Sequence, residues 1–280
     1  MTALSENLSK PVVASSRPAA SKRRQRSWLA LRGALDRLAA IIFMIVAWQL
    51  AAQFWIGEKW ISTPVKIAER LWEMLLDGSL QIHTWETFKE AFVGLLMGVA
   101  LGIVGGMILG LSRRLSEAID PVLMGIYSLP RVSLAPMFVI WLGIGLLAKA
   151  TLVASMVVFV VMLNVREGIR SIDRDHIDAF RSMNASRWMM WRHVMIPSMI
   201  PWLLASIRIG IGMALVGAVV GELIGASQGL GWYVSSSSSI YDMTGAFTAL
   251  VVLMILAMIF NFALSLLEKR LMFWRPSVSS

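Results

Sequence analysis

The sequence predicts an all-α membrane protein built from six transmembrane helices, and three observations carry the prediction. Hydrophobic residues make up 57% of the 280 and charged residues only 15%, against about 25% charged in an ordinary soluble domain. So few charges could not cover a soluble surface, and a bilayer is the solvent that makes the composition sensible. The apolar residues fall in runs of about twenty, the length a helix needs to cross the hydrocarbon. The basic residues sit between the runs: of 26 Lys and Arg, 8 lie in 10–37, 2 are Arg113 and Arg114, 6 lie in 166–192 and 3 in 269–275.

Each span follows from that pattern. Residues 1–27, rich in Ser, Ala, Pro and Lys/Arg, read as a disordered arm. The basic run before residue 38 is too long, and lacks the small-residue site, for a cleaved signal peptide. Span one is expected at 38–56, followed by an interfacial helix over 65–76, where Val65, Ala68, Leu71 and Leu75 repeat at helical spacing against charged neighbours. Span two is expected at 90–111, spans three and four between 121 and 165 with a break near 143–149, span five at 201–224 and span six at 246–267. The domain reading is a basic N-terminal arm (1–37), a six-span domain (38–267) and a C-terminal tail (268–280). The four basic clusters all fall on one side of such a layout, which by the positive-inside rule puts both termini in the cytoplasm.

The same bookkeeping removes several functions. A net charge of +9 is the loop bias of a membrane protein, so no nucleic-acid partner is expected. There is no cysteine, and the three histidines (His83, His176, His193) are far apart, so no disulfide, thiolate site or metal centre is expected. No Gly-x-x-x-x-Gly-Lys-Ser/Thr loop occurs. The chain is expected to bind no cofactor itself, and any ATP must be handled by another chain. An intramembrane hydrolase would need a nucleophile with its base, or a metal cluster, inside the spans. A self-contained channel or secondary transporter would show repeat symmetry or paired midplane charges. Neither pattern is visible.

Three features point to function. Gly94, Gly98, Gly102, Gly106 and Gly110 recur every four residues, a small-residue ridge of the kind that lets membrane helices approach backbone to backbone. The segment from Leu129 to Pro136 carries Arg131 between Pro130 and Pro136, and prolines at membrane depth interrupt helices beside a cavity or protein, not lipid. Residues 166–200 form the longest polar stretch within the spanning region. Inside it, 175–188 read as a short amphipathic helix with Ile177, Phe180 and Met183 on one side. That pattern fits either a partner's groove or an ordinary solvated loop.

This loop resembles the Glu-Ala-Ala…Gly signature of bacterial ABC importer permeases, the contact point for the ATP-hydrolysing subunit. Asp178, Ala179 and Phe180 stand where Glu-Ala-Ala is usual, and Asn184 stands at the usual glycine, which suits the left-handed backbone that Asn tolerates. Arg181, Ile196 and Pro197 fall within the same pattern. The likeness extends over the membrane region and is greatest to the nitrate/sulfonate/taurine/bicarbonate group. It is carried by Ser62-Thr63-Pro64, Gly78-Ser79-Leu80 with His83, Asp120-Pro121, the Pro130 to Pro136 segment with Trp141 to Gly145, Arg208-Ile209-Gly210, and Gly221 through Gly231. The serine run 235–239 departs from the group's pattern and reads as a polar loop.

The resemblance implies a type I importer permease, a transport subunit and not an enzyme. Its solute would be small, with oxyanions such as nitrate, sulfonate, taurine or bicarbonate expected. Its partners would be cytoplasmic ABC ATPases carrying ATP and magnesium, an extracytoplasmic solute-binding protein, and a second permease subunit, expected to be another copy of this chain. Pathway residues are sought at Arg131 with Met137, Phe138 and Trp141 beside it, and at Arg208 and Glu222 on the fifth span. Two readings are open for Arg131, an oxyanion contact or a place among the cytoplasmic headgroups, and two for Arg208: attraction of an anion, or snorkelling to the nearby surface. Glu222 would repel an anion from a pore, so a structural hydrogen bond to backbone is expected there.

Overall fold

The computed structural model describes residues 19–57 and 60–272. Among them are eleven α-helices and no strand. Helix α1 runs Ala19–Ala51 and ends in a π-helical turn, Ala52–Ile56. It starts well before the expected span, because Ala, Lys, Arg, Gln and Leu are good helix formers and continue the apolar segment without a break. Residues 19–27, expected as disordered arm, are therefore helical. The span itself, Leu38–Trp55, buries almost nothing within this chain, and Phe43 and Trp55 are largely exposed.

Helix α2 (Pro64–Leu76) forms where the helical spacing of 65–76 predicts one. Thr63 caps it by accepting from the Lys66 N–H, and Pro64 occupies a first-turn position where its missing donor costs nothing. Its Ile67 and Met74 are buried, and Arg70 pairs with Asp242 at 3.4 Å. Gly78 then takes φ +80°, a left-handed turn open to glycine, and launches α3 (Ser79–Leu111). The second span thus begins eleven residues earlier than its apolar run suggested.

The third span is broken. Helix α4 (Arg113–Tyr127) and the segment formed by a 3₁₀ turn (Arg131–Leu134) and α5 (Ala135–Leu142) meet at a bend of 77°. Pro130 has no N–H to continue the α4 ladder at the bend, and Pro136 takes a first-turn position of α5. Helix α6 (Leu146–Arg170) is the most buried element and the centre of the molecule. The short α7 (Arg174–Ser182) follows, then α8 (Arg187–Met190), a π-helical turn (Trp191–Met195) and α9 (Ile196–Gly225). These last three run on as one 39-residue apolar helix, Arg187–Gly225. The loop expected at 166–200 is therefore much shorter: Arg166 to Arg170 complete α6, and the chain is helical again from Arg187.

Helix α10 (Leu230–Ser239) carries the serine run that was expected as a loop. Ser237 is buried and Ser239 Oγ donates to the Ser235 carbonyl, so the hydroxyls are absorbed by helix packing and back-bonding. Asp242 caps α11 (Met243–Leu271), accepting from the Gly245 N–H at 3.0 Å. Among the described residues five helices are long and apolar enough to cross a membrane, and counting the bent pair as one span gives the expected six.

The core lies where α3, α6 and α9 meet. A Cβ added at Gly94, Gly98, Gly102 or Gly106 would stand 2.4, 2.7, 2.6 and 2.7 Å from the Cβ atoms of Val153, Val157, Val161 and Val165, and one at Gly110 would stand 2.9 Å from that of Ile169. A four-residue glycine ridge on α3 thus receives a four-residue β-branched ridge on α6. Without a hydrophobic drive between helices in lipid, this close van der Waals contact is what holds the pair.

Candidate functional site

The polar short segment between α6 and α9 is the first site. Helix α6 delivers it from a fixed base: Val165 is fully buried, Ile169 nearly so, and the Arg166 guanidinium reaches both Asp120 on α4 and Glu167, the latter at 3.1 Å. Helix α7 then ends on Asn184, which adopts φ +52°, and the Ala185 N–H returns to the Phe180 carbonyl at 3.0 Å. This is a left-handed helix stop, the conformation expected for Asn in a glycine's place. Ser186 caps the next helix through the Met189 N–H at 3.2 Å. The chain thus makes a tight, capped corner with α7 between two long membrane helices. Ile177 and Phe180 are half-buried, while Asp178, Ala179 and Met183 are exposed, Met183 to 78%. The side chain of Arg181 lies outside the described residues. Ile196 and Pro197 sit at the start of α9, after the π turn that accommodates the missing proline N–H.

A second cluster is fully interior and was not gathered from the sequence. Lys149 Nζ donates to Glu90 Oε1 at 2.6 Å. Thr87 Oγ1 donates to Glu222 Oε1 at 2.6 Å and accepts from the Leu230 N–H at 2.8 Å. The Gly231 N–H donates to Glu222 Oε2 at 2.5 Å, and the Gly229 N–H to His83 Nδ1 at 3.1 Å. His83 is stacked on Trp232, ring centres 5.4 Å apart. Glu90, Glu222 and Thr87 are at most 2% exposed. One polar knot therefore ties α3, α6 and α9 to the start of α10 and the turn before it. Glu222 takes the structural, backbone-bonded role expected of it. Gly229 (φ +115°) and Gly231 have no room for a side chain, since a Cβ there would meet the Glu222 carboxylate at 2.3 and 2.7 Å. Glu90 and Lys149 were read from sequence as the boundary and flank of spans. The rule that ionisable residues at membrane depth seek each other would have paired them had α3 been started at Ser79.

The remaining sequence-selected residues separate. Arg208 Nη2 meets Glu268 Oε2 at 2.5 Å, near the C-terminal end of α11. The Arg208 charge is thus matched by a carboxylate near the end of α11. Arg131, Met137, Phe138 and Trp141 stay together on the broken span. Phe138 and Trp141 are edge-to-face at 5.9 Å, and Trp141 is 63% exposed. The Arg131 guanidinium lies over the rings of Phe159 and Tyr127, 4.3 and 5.2 Å from their centres.

Comparison with known proteins settles what such a chain is. Residues 98–273 match the family model described as binding-protein-dependent transport system inner membrane component. The chain belongs to this family. Its permease relatives include the riboflavin transport system permease protein of Chloroflexus aurantiacus, 35% identical over 87% of this chain and 91% of the relative. The taurine transport system permease protein of Escherichia coli is 27% identical over 85% and 88%. The putative aliphatic sulfonates transport permease of the same organism is 29% identical over 84% and 89%. In fold, the permease resembles a chain of the MetNI methionine ABC transporter solved in inward-facing conformations, with TM-score 0.62, 24% identity and coverage of 70% of this chain and 97% of that one. The protein is thus the multi-pass inner-membrane permease subunit of a bacterial ABC importer, a transport subunit and not an enzyme. A permease of this family works with an ATPase and a solute-binding protein.

Proposed function

We propose that two copies of this chain form the pathway of an ATP-driven importer, with α7 of each copy docked in a groove of a separate cytoplasmic ATPase. ATP and magnesium sit on that partner, and both termini of the permease face it across the cytoplasm. The observation that carries the reading is the corner at Asn184. A solvated connection has no need of a left-handed stop, a capped restart at Ser186 and a helix that leaves apolar Ile177, Phe180 and Met183 partly or wholly uncovered. A rigid lever does, because a movement of α7 is then passed to α6 and α9 without being absorbed in the loop.

The solute is a small organic molecule handed over by the binding protein. The relatives are named for riboflavin, a formylaminopyrimidine, aliphatic sulfonates and taurine, a spread that fits solute choice being made chiefly before the membrane. The test is reconstitution in liposomes with the cognate ATPase and binding protein. ATP hydrolysis should rise when loaded binding protein is added, and the permease alone should pass nothing. Solute flux through the permease alone would overturn the reading in favour of a self-contained channel.

A further inference from the structure

The broken third span carries a charge that the fold does not neutralise. Phe159, over which the Arg131 guanidinium lies, is thirteen residues from the start of α6 and eleven from its end, so about 20 Å and about 16 Å from the two ends at 1.5 Å per residue. Arg131 is therefore held near the middle of the bilayer. Along α6 the next charges are Arg166, seven residues or about 10 Å from Phe159, and Lys149, ten residues or about 15 Å away on the other side. Among the described residues no carboxylate pairs with it. One of its five N–H donors reaches the Tyr127 carbonyl at 3.4 Å. The rings of Phe159 and Tyr127 fix the plane of the fork without satisfying the other donors. The bend is also open in this chain, with Leu129, Val132 and Trp141 all uncovered. An unneutralised midplane cation faces water or another protein surface, never lipid, and a broken helix borders a cavity for the same reason.

We propose, on the importer reading above, that Arg131 is a solute contact of the translocation pathway, binding an anionic oxygen group (sulfonate, carboxylate or phosphate) as it passes the membrane midplane. The chemistry is that of a pre-oriented guanidinium fork, which presents parallel N–H donors to two oxygens at once. The aromatic pair serves as its mount. Arg208 and Lys149 cannot substitute, because each already holds a carboxylate.

The absence of cysteine allows a direct test in the complete complex with its ATPase in lipid. Ser133→Cys, two residues from Arg131 and exposed, is reacted with a sulfonate-bearing and with an ammonium-bearing methanethiosulfonate, in nucleotide-free and vanadate-trapped states. The anionic reagent should react about ten times faster relative to the cationic one, the ratio that a nearby fixed positive charge gives at water-like dielectric. The preference should vanish in Arg131→Gln and persist in Arg131→Lys, which keeps the charge. Met258→Cys, on the exposed apolar face of α11, should react with neither reagent. A Ser133→Cys that reacts with neither reagent in either state would place the bend off the pathway and overturn the proposal. So would a charge preference that Arg131→Gln leaves unchanged. Failure of the importer reading would show separately, as ATP hydrolysis indifferent to loaded binding protein.

Discussion

Replacing Gly102 by Ala sets two effects against each other, and the structure decides between them. In an exposed helix the change gains about 0.8–1 kcal/mol of propensity. At position 102 the new methyl would lie 2.6 Å from Val161 Cβ and 2.8 Å from the Val158 carbonyl oxygen. Carbon atoms prefer about 3.5–4.0 Å, so α3 and α6 must part by roughly 1 Å. Neither obstacle is a flexible side-chain tip that can rotate away. Overpacking of this kind costs about 1–3 kcal/mol, and the loss propagates because four sister glycines share the same seam. Gly102→Ala should therefore lower the detergent melting temperature, and Gly102→Leu should prevent assembly. Gly212→Ala, with nothing within 4 Å of the added carbon, should match the wild type or exceed it. The assay is size-exclusion with fluorescence detection after heating. A Gly102→Ala protein as stable as Gly212→Ala would show that the α3–α6 seam is looser than described, and the packing argument would fail.

Three further outcomes are expected. Lys149→Met should cost about 3–5 kcal/mol by leaving the Glu90 carboxylate buried without its partner, and Glu90→Leu in the same chain should recover much of that; a double variant no better than the single would disprove the pairing, with melting temperature as the readout. Asn184→Gly should be tolerated while Asn184→Val, β-branched at φ +52°, should lose about 1–3 kcal/mol and weaken ATPase binding; equal behaviour of the two would remove the left-handed stop from the account. Single cysteines at the exposed Ser186 and Ser239 should label with an impermeant reagent in intact cells only at Ser239; labelling of Ser186 would invert the orientation.

Most of the fold is legible in the sequence because bilayer physics writes it in long signals. The spans follow from run length, and the α3–α6 seam follows from glycines every fourth residue. The left-handed stop follows from Asn184 standing at a glycine's place. What was not legible depends on contacts far apart in sequence. The start of α3 at Ser79 was hidden because Lys89 and Glu90 look like a boundary until Lys149, 59 positions away, neutralises Glu90. The serine run reads as a loop because Ser is a poor helix former in isolation, whereas in α10 the packing of Leu230 and Ser237 overrides propensity. The π turn that carries Arg187 to Gly225 as one helix leaves no mark in the apolar pattern, so the polar loop is shorter than its composition suggests. The Arg131 side chain was found by its prolines, but its depth could be fixed only once Phe159 lay beneath it.

The central claim is that α7 is the mechanical link to the ATPase, and the variant Phe180→Asp tests it most directly. Interface energy concentrates in a few anchoring side chains, each worth about 2 kcal/mol or more, and a carboxylate at this position would have to be buried in an apolar groove. The six crossings are untouched, because the change lies outside them and adds no positive charge. The measurement is co-purification of the ATPase with the permease from membranes, wild type against Phe180→Asp. The account predicts a normally inserted permease that has lost its ATPase. A Phe180→Asp permease that retains the ATPase and transports at the wild-type rate would contradict it, and would leave α7 as a solvated connection.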